Sequence, residues 1–279
     1  MPRVKWENGA RCAVCLTFDV DGETVWMGRD PSLGGRPIHN SMGAYGPKVG
    51  IPRILRLLKK YSLPGAFYIP SWTVEKWPKM TESIVKAGHE IGHHGHIHEK
   101  PYQMCDAERE EELLVRALGI LKRDTGQEIL GSRTPSADPS VHTMGLLKKH
   151  GLLYHSNMMD DDWPYYHDCG LVELPTKWSL DDFIFFAHST NPPLGHGIRD
   201  PESVYSIWVE EFEGTYEEGG YINIMCHPQI IGQHHRMRML ERMIQHILAK
   251  GDAWIAAPVD VAKCWASQRK APKGRGARR

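Results

Sequence analysis

Three short stretches hold residues able to do chemistry. Asp19-Val20-Asp21-Gly22-Glu23 closes an apolar run that begins near Cys12. On an extended chain alternate side chains share a face, so Asp19 and Asp21 project together, roughly 6–7 Å apart. Burying two like charges at that separation is costly unless something neutralises them. A divalent cation on one carboxylate would do so and leave the other beside it as a base. A solvated strand-end turn is the plainer alternative, since Asp and Gly are frequent there. The second stretch, Gly88 to His98, contains five histidines: His89, His93, His94, His96 and His98. An H-x-x-x-H spacing can set two imidazoles on one face of a helical turn, converging on one ion. Both His94/His98 and His89/His93 have it. His89-Glu90-Ile91-Gly92-His93 also matches the H-E-x-x-H pattern formally, but its flanking glycines disfavour the helix that pattern needs. In the third stretch, Ile224-Met225-Cys226-His227-Pro228, a histidine ends an apolar run and is fixed by proline. It suits a general acid for a leaving amine, or a mere backbone cap.

Positioning such groups requires a scaffold that gathers residues from distant points. Cys12–Asp19 reads as a buried strand delivering carboxylates at its C-terminal end. Residues 22–50, rich in Gly, Pro and Asn, read as a long loop near that end. Ile51–Tyr61 has helical spacing with Pro52 in the first turn. Strand 65–69, a short helix 81–87, a strand into the histidine run, and the amphipathic helix 106–125 closed by Gly126 follow. Further strand candidates are 129–133, 152–156, 170–174, 221–226 and 254–257, with helices 141–150, 236–250 and 259–268 among them. Alternation of this kind predicts α/β architecture with a mainly parallel sheet. No internal repeat or Pro/Gly linker divides the chain, so residues 1–268 are expected to form a single catalytic domain, with 269–279 (RKAPKGRGARR) a solvated basic tail.

Composition narrows the function classes. The 279 residues carry 34 Lys+Arg and 34 Asp+Glu, so there is no electrostatic footprint for nucleic acid or an anionic membrane. Hydrophobic residues at 41% and charged residues at 24% are ordinary globular values that exclude wholesale disorder. No apolar run is long enough to span a bilayer, and the first residues lack an apolar leader, giving an expected cytoplasmic location with reduced cysteines. Cys12 and Cys15 make a C-x-x-C spacing, but inside a strand they read as small core residues.

Taken in order, Thr17-Phe18-Asp19-Val20-Asp21, His94-Gly95-His96-Ile97-His98, Arg133-Thr134-Pro135 and His227-Pro228 resemble the motifs of the polysaccharide deacetylase (NodB-type) family, over residues 10 to 265. Gly50-Ile51-Pro52-Arg53-Ile54-Leu55, His98-Glu99-Lys100-Pro101, and Val172-Glu173-Leu174-Pro175 followed by Trp178 and Asp181-Asp182 are similar to its cytoplasmic branch. That branch holds peptidoglycan-deacetylase-like proteins, allantoinase-like proteins and cyclic imide hydrolases. The resemblance implies a distorted (β/α) barrel with fewer than eight strands. It implies Asp19 as general base, His227 as general acid and Arg133 as the arginine orienting the base. It further implies Asp21, His94 and His98 as ligands of one divalent metal ion per subunit, usually zinc, and a homo-oligomer such as a tetramer. An Asp-His-His set also suits Co²⁺, Mn²⁺ or Ni²⁺. Val20 between the aspartates and Gly95 in place of Ser/Thr depart from the extracellular pattern and weaken an acetyl-sugar substrate.

The expected reaction is hydrolysis of a non-peptide amide C–N bond by metal-activated water. Asp161, Trp163, Tyr165 and Trp178, with Tyr166 and Gly43–Gly46, are the candidate walls for a small-molecule amide or imide. A chain without a secretory leader would not meet cell-wall polymer, which favours ring-opening of a small cyclic imide. N-deacetylation of acetylated amino sugars, allantoinase-like hydrolysis and a non-catalytic metal-binding role are the alternatives.

Overall fold

A computed structural model describes residues 4–104, 106–195 and 197–272. The first strand, β1 (Cys12–Asp19), is buried along its whole length. That is what a continuous apolar run produces when both faces of a sheet are covered. Cys12, Val14, Leu16 and Phe18 face the outer helices, within one core that includes Ile54, Leu58 and Ile244. Ala13 and Cys15 face inward, against Ala66, Tyr68, Tyr154 and Tyr221. The two-residue period therefore sends Thr17 and Asp19 into the interior as well.

The other strands are β2 (Ala66–Ile69), β3 (Glu90–His93), β4 (Gly131–Ser132), β5 (Tyr154–His155), β6 (Tyr165–Tyr166), β7 (Val172–Glu173), β8 (Ser189–Thr190), β9 (Pro193–Leu194), β10 (Tyr221–Cys226) and β11 (Ala253–Ile255). The main sheet runs β10-β1-β2-β3-β4-β5-β7-β6, with β11 on the start of β1, and β8 and β9 form a separate hairpin. All its pairings are parallel except β6 against β7. The curled wall from β10 to β7 thus has seven parallel staves, one short of a full barrel.

Helices cover the outside. Ala107–Thr125 is capped by the Asp106 carboxylate, which accepts from the Glu108 and Arg109 amides, and it ends at left-handed Gly126. Ile51–Tyr61 buries Ile51, Ile54 and Leu58, as its spacing predicts, together with Leu57, while Leu55, expected on the same face, is half-buried. β4, β5, β7 and β11 are shorter than expected, whereas β10 has the expected bounds. A Cβ on Gly131 would lie 2.1 Å from the Tyr154 ring, so only glycine lets that tyrosine cross the barrel.

Two expectations are corrected. Residues 22–50 are not an open loop: helices Thr24–Met27 and Pro37–Tyr45 and short turns at Pro31–Gly35 and Gly46–Gly50 fold it over the strand ends. Val25, Trp26 and Leu33 supply its own small apolar cluster. The helix Pro201–Glu218 was not anticipated, since its buried residues Val204, Trp208 and Phe212 make only a narrow stripe. Residues 273–279, most of the expected basic tail, lie outside the described residues. Among the described residues no helix is long and apolar enough to cross a membrane.

Candidate active site

The groups expected to do the chemistry or hold the metal sit at or a few residues past the C-terminal ends of parallel strands. Asp19 ends β1 and Asp21 follows it, His94 follows β3, Arg133 follows β4, and His227 follows β10. Parallel strands in register point these ends to one rim, where (β/α) barrels build their sites. A cavity of ≈ 150 Å³ opens there, lined by Asp19, Asp21, His94, His98, Asp181 and His227 among others.

Asp21, His94 and His98 form one convergent group. His94 Nε2 is 3.3 Å and His98 Nε2 3.7 Å from Asp21 Oδ1. The three side chains offer ligand atoms within 4.8 Å of one another. Asp21 Oδ1 and His94 Nε2 are buried and have no hydrogen-bond partner among the described residues. Buried polar atoms are normally paired, so lone pairs left idle together fit a cation. His94 Nδ1 lies 2.7 Å from the Arg133 carbonyl, which can only accept. That bond puts the ring proton on Nδ1 and leaves the Nε2 lone pair facing Asp21, the usual support for a metal-binding imidazole. Gln229 Nε2 donates to the other Asp21 oxygen at 3.1 Å. Burial raises the Asp21 carboxyl, but His98, His94 and His227 outweigh it and hold it well below the ordinary range. For His98, burial dominates, aided by the neighbouring imidazoles, and pulls the ring down to about 4, keeping it neutral. The segment carrying His94 and His98 is not the helical turn their spacing suggested. It bends at Gly95 (φ +73°), and His98 itself has φ 63°, a costly conformation for a side-chain-bearing residue. Packing enforces it: Gly28 lies so close that a Cβ there would meet the His98 carbonyl oxygen at 2.2 Å.

Asp19 stands beside this group, 3% exposed and bonded elsewhere. Arg133 Nη1 donates to Asp19 Oδ1 at 2.7 Å and to Thr17 Oγ1 at 3.0 Å. Its Nε donates to the Ser156 carbonyl, and its guanidinium stacks 4.3 Å above the Tyr68 ring. A buried guanidinium held on four sides fixes the carboxylate it touches.

His227 closes the far side. Its Nε2 is 4.0 Å from Asp19 Oδ2 and 3.9 Å from Asp21 Oδ2. Its Nδ1 lies 2.7 Å from Asp182 Oδ1, and its backbone N–H donates to the same carboxylate. Burial disfavours the imidazolium, but Asp181, Asp182 and Asp21 together overcome it and raise His227 well above its ordinary value. Burial and the neighbouring Asp182 charge raise Asp181 to about 7, against the pull of His227.

All six residues expected to do or support the chemistry, Asp19, Asp21, His94, His98, Arg133 and His227, are therefore brought together. The expected substrate walls are not. Trp178 lines the cavity, 45% exposed on its rim. Asp161, Trp163 and Tyr165 do not. Trp163 lines a separate surface groove with Asp162 and Lys177. Tyr165 lies on the antiparallel edge strand, its hydroxyl donating to Asp160. The turn they share is displaced from the cavity because β6 folds back outside β7. The walls are instead Val25 and Arg29 from the folded-over segment, Thr134, Ser136 and Asn157 from the β4 and β5 ends, and Phe183 and Ile184. Asp182, Gln229, Arg29 and Asn157 were missed as site residues. For Asp182 the signal was present, as an Asp-Asp pair opening a helix (Asp182–Phe186) near the His227 strand.

Comparison with known proteins places this geometry. The family model for polysaccharide deacetylases matches residues 44–155, which include His94, His98 and Arg133. A peptidoglycan deacetylase of Helicobacter pylori is 32% identical over 274 residues, covering 87% of this chain and 92% of that protein. The crystal structure of a candidate polysaccharide deacetylase from Mycobacterium smegmatis superposes with a TM-score of 0.93 at 34% identity, covering 98% and 96% of the two chains. An allantoinase shares the fold, with a TM-score of 0.85 at 24% identity over 98% and 95%.

Proposed function

We propose, from the fact that the chain belongs to the polysaccharide deacetylase family, that it is a metal-dependent hydrolase removing the acetyl group from an N-acetylated amino sugar. The observation that carries the reading is the set of idle, buried lone pairs on Asp21 and His94, with His98 beside them, next to a carboxylate that Arg133 has already engaged. Asp21, His94 and His98 would hold the divalent ion, and their mixed oxygen and imidazole donors suit zinc as well as cobalt, manganese or nickel. When bound, such an ion supplies Lewis acidity to the scissile carbonyl and acidifies water.

The chain's own groups supply the rest. Asp19 keeps one oxygen on Arg133 and the other toward the cavity, placed to take a proton from water. Arg133 prevents that carboxylate from turning away. His227, kept protonated by Asp181 and Asp182, hands its Nε2 proton to the departing nitrogen. Val25 and Phe183 exclude solvent on one side, and exposed Trp178 and Ile184 offer a rim for a sugar face.

Relatives of the chain favour deacetylation over the ring-opening of a cyclic imide. One feature still supports the imide as a second reading: the cavity, which Val25 and Arg29 of the folded-over segment help to line, holds only ≈ 150 Å³. The deciding experiment is turnover by metal-reconstituted protein of N-acetylglucosamine oligomers against succinimide, maleimide and dihydrouracil. Acetate release from the oligomers, lost in Asp19→Asn, is expected. Ring opening without acetate release would replace the first reading by the second.

A further inference from the structure

Beyond the groups that do the chemistry, one donor in the cavity has no partner among the described residues and no freedom to turn. Asn157 is 4% exposed and lines the cavity. Its backbone N–H donates to Glu173 Oε1 at 2.7 Å, and its carbonyl accepts from Thr176 Oγ1 at 3.0 Å. Its side-chain Oδ1 accepts the Thr134 backbone N–H at 2.5 Å. An amide nitrogen cannot accept, so this bond fixes the flip of the side chain. The Nδ2 amino group then carries two N–H donors with no hydrogen-bond partner among the described residues.

The support beneath Asn157 is unusually complete. Glu173 takes the Asn157 and Met158 amides on one oxygen and the His155 and His167 rings on the other. His155 Nδ1 faces that carboxylate, so it bears the ring proton, and Nε2 accepts from Thr134 Oγ1 at 2.9 Å. This Glu173–His155–His167 group has the spacing of a metal site. Its Glu173 oxygens and both His155 nitrogens are already bonded, however, so no lone pairs wait there. What the cluster does is hold Thr134 and Asn157 rigid at the cavity wall, the arrangement a preorganised recognition group needs.

We propose that Asn157 is a specificity-determining residue whose Nδ2 donates to an oxygen acceptor flanking the scissile amide of the substrate, a hydroxyl or carbonyl on the part that is not the acyl group. The proposal rests on the hydrolase reading given above, and it narrows the substrate to amides with such an oxygen beside the reacting nitrogen. Amino-sugar amides have it; plain alkyl amides do not.

Asn157→Asp keeps the oxygen that receives the Thr134 N–H and replaces the donor by an acceptor of equal size. With an N-acetylglucosamine oligomer, kcat/KM is expected to fall roughly tenfold or more, mainly through KM, the effect of one lost substrate hydrogen bond. With N-cyclohexylacetamide, which lacks the flanking oxygens, only the new carboxylate's charge in the cavity is felt, so the loss there should be clearly smaller than on the oligomer. An equal loss on both substrates would assign Asn157 a structural role and overturn the proposal. Wild-type protein inactive on both would instead refute the hydrolase reading, and the donor is then read directly. In ¹⁵N-labelled protein the Asn157 side-chain amide signals, identified by their absence from Asn157→Asp, should shift on titration with N-acetylglucosamine. Signals that stay fixed up to the solubility limit would likewise overturn it.

Discussion

Replacing Arg133 by methionine should unfold the protein more than it alters its shape. The guanidinium is 1% exposed, and it donates to Asp19, Thr17 and two Ser156 oxygens while covering Tyr68. Methionine restores the hydrocarbon volume but leaves the Asp19 carboxylate, 3% exposed, without its hydrogen-bonded counter-charge, the His227 ring at 4.0 Å being the nearest remaining cation. Breaking one side of a buried ion pair costs about 3–5 kcal/mol. Asp19→Asn alone makes the complementary error, leaving a buried guanidinium facing an amide, with a loss of similar order. Asp19→Asn/Arg133→Met removes both charges together and should be much less destabilised than the two singles summed. Urea denaturation followed by circular dichroism gives each value, and the cycle should return a coupling of about 2 kcal/mol or more. Additive losses, agreeing within about 0.5 kcal/mol, would show that Asp19 and Arg133 do not hold each other, and the account of how the base is oriented would fall with them.

Metal analysis after reconstitution should find His94→Ala depleted of the ion and His227→Ala still loaded but slow, and equal depletion would mean that ligand and acid are confused. Asp182→Asn removes the carboxylate facing His227 Nδ1, so the alkaline limb of kcat/KM should move roughly 1–3 units toward acid as the ring loses what holds its proton. A limb that stays in place would argue against His227 as the acid. Glu90, raised to about 7 by burial, binds a proton in the folded chain that the unfolded chain has already released between about pH 4.5 and 7. Stability should therefore fall as pH rises through that window, by up to about 3 kcal/mol, and Glu90→Gln should flatten the slope measured by denaturation at several pH values. Gly28→Ala should lower the melting temperature and weaken metal retention, because its methyl would strike the His98 carbonyl.

What the sequence disclosed follows from short-range rules. An apolar strand that ends in carboxylates is legible because burial on both faces leaves a continuous run, and β1 keeps the predicted bounds at both ends. The amphipathic helix 106–125 is legible because its cap, stripe and stop glycine agree. Asp19, Asp21, His94, His98, Arg133 and His227 could be named because each lies in a short motif attached to a strand end. The cavity walls could not. Asn157 and Gln229 are single polar residues whose meaning comes from Glu173 and Asp21, 16 and 208 positions away. Asp161, Trp163 and Tyr165 looked like a binding wall by composition, yet an antiparallel return turns their segment outward, and no local pattern encodes that direction. Residues 22–50 were mistaken for a loop because their Gly and Pro content masks short helices held by packing rather than by propensity.

The position of β1 between β2 and β10 has a consequence for how the molecule comes into being. Asp19 and Asp21 leave the ribosome early, whereas the strand beside them and His227 arrive some two hundred residues later. Until then one flank of the earliest strand offers an unpaired apolar edge, and nascent chains are exposed to mispairing for most of their synthesis. A product stopped short of β10 would lack His227 and keep that edge bare, so it would be both inert and sticky.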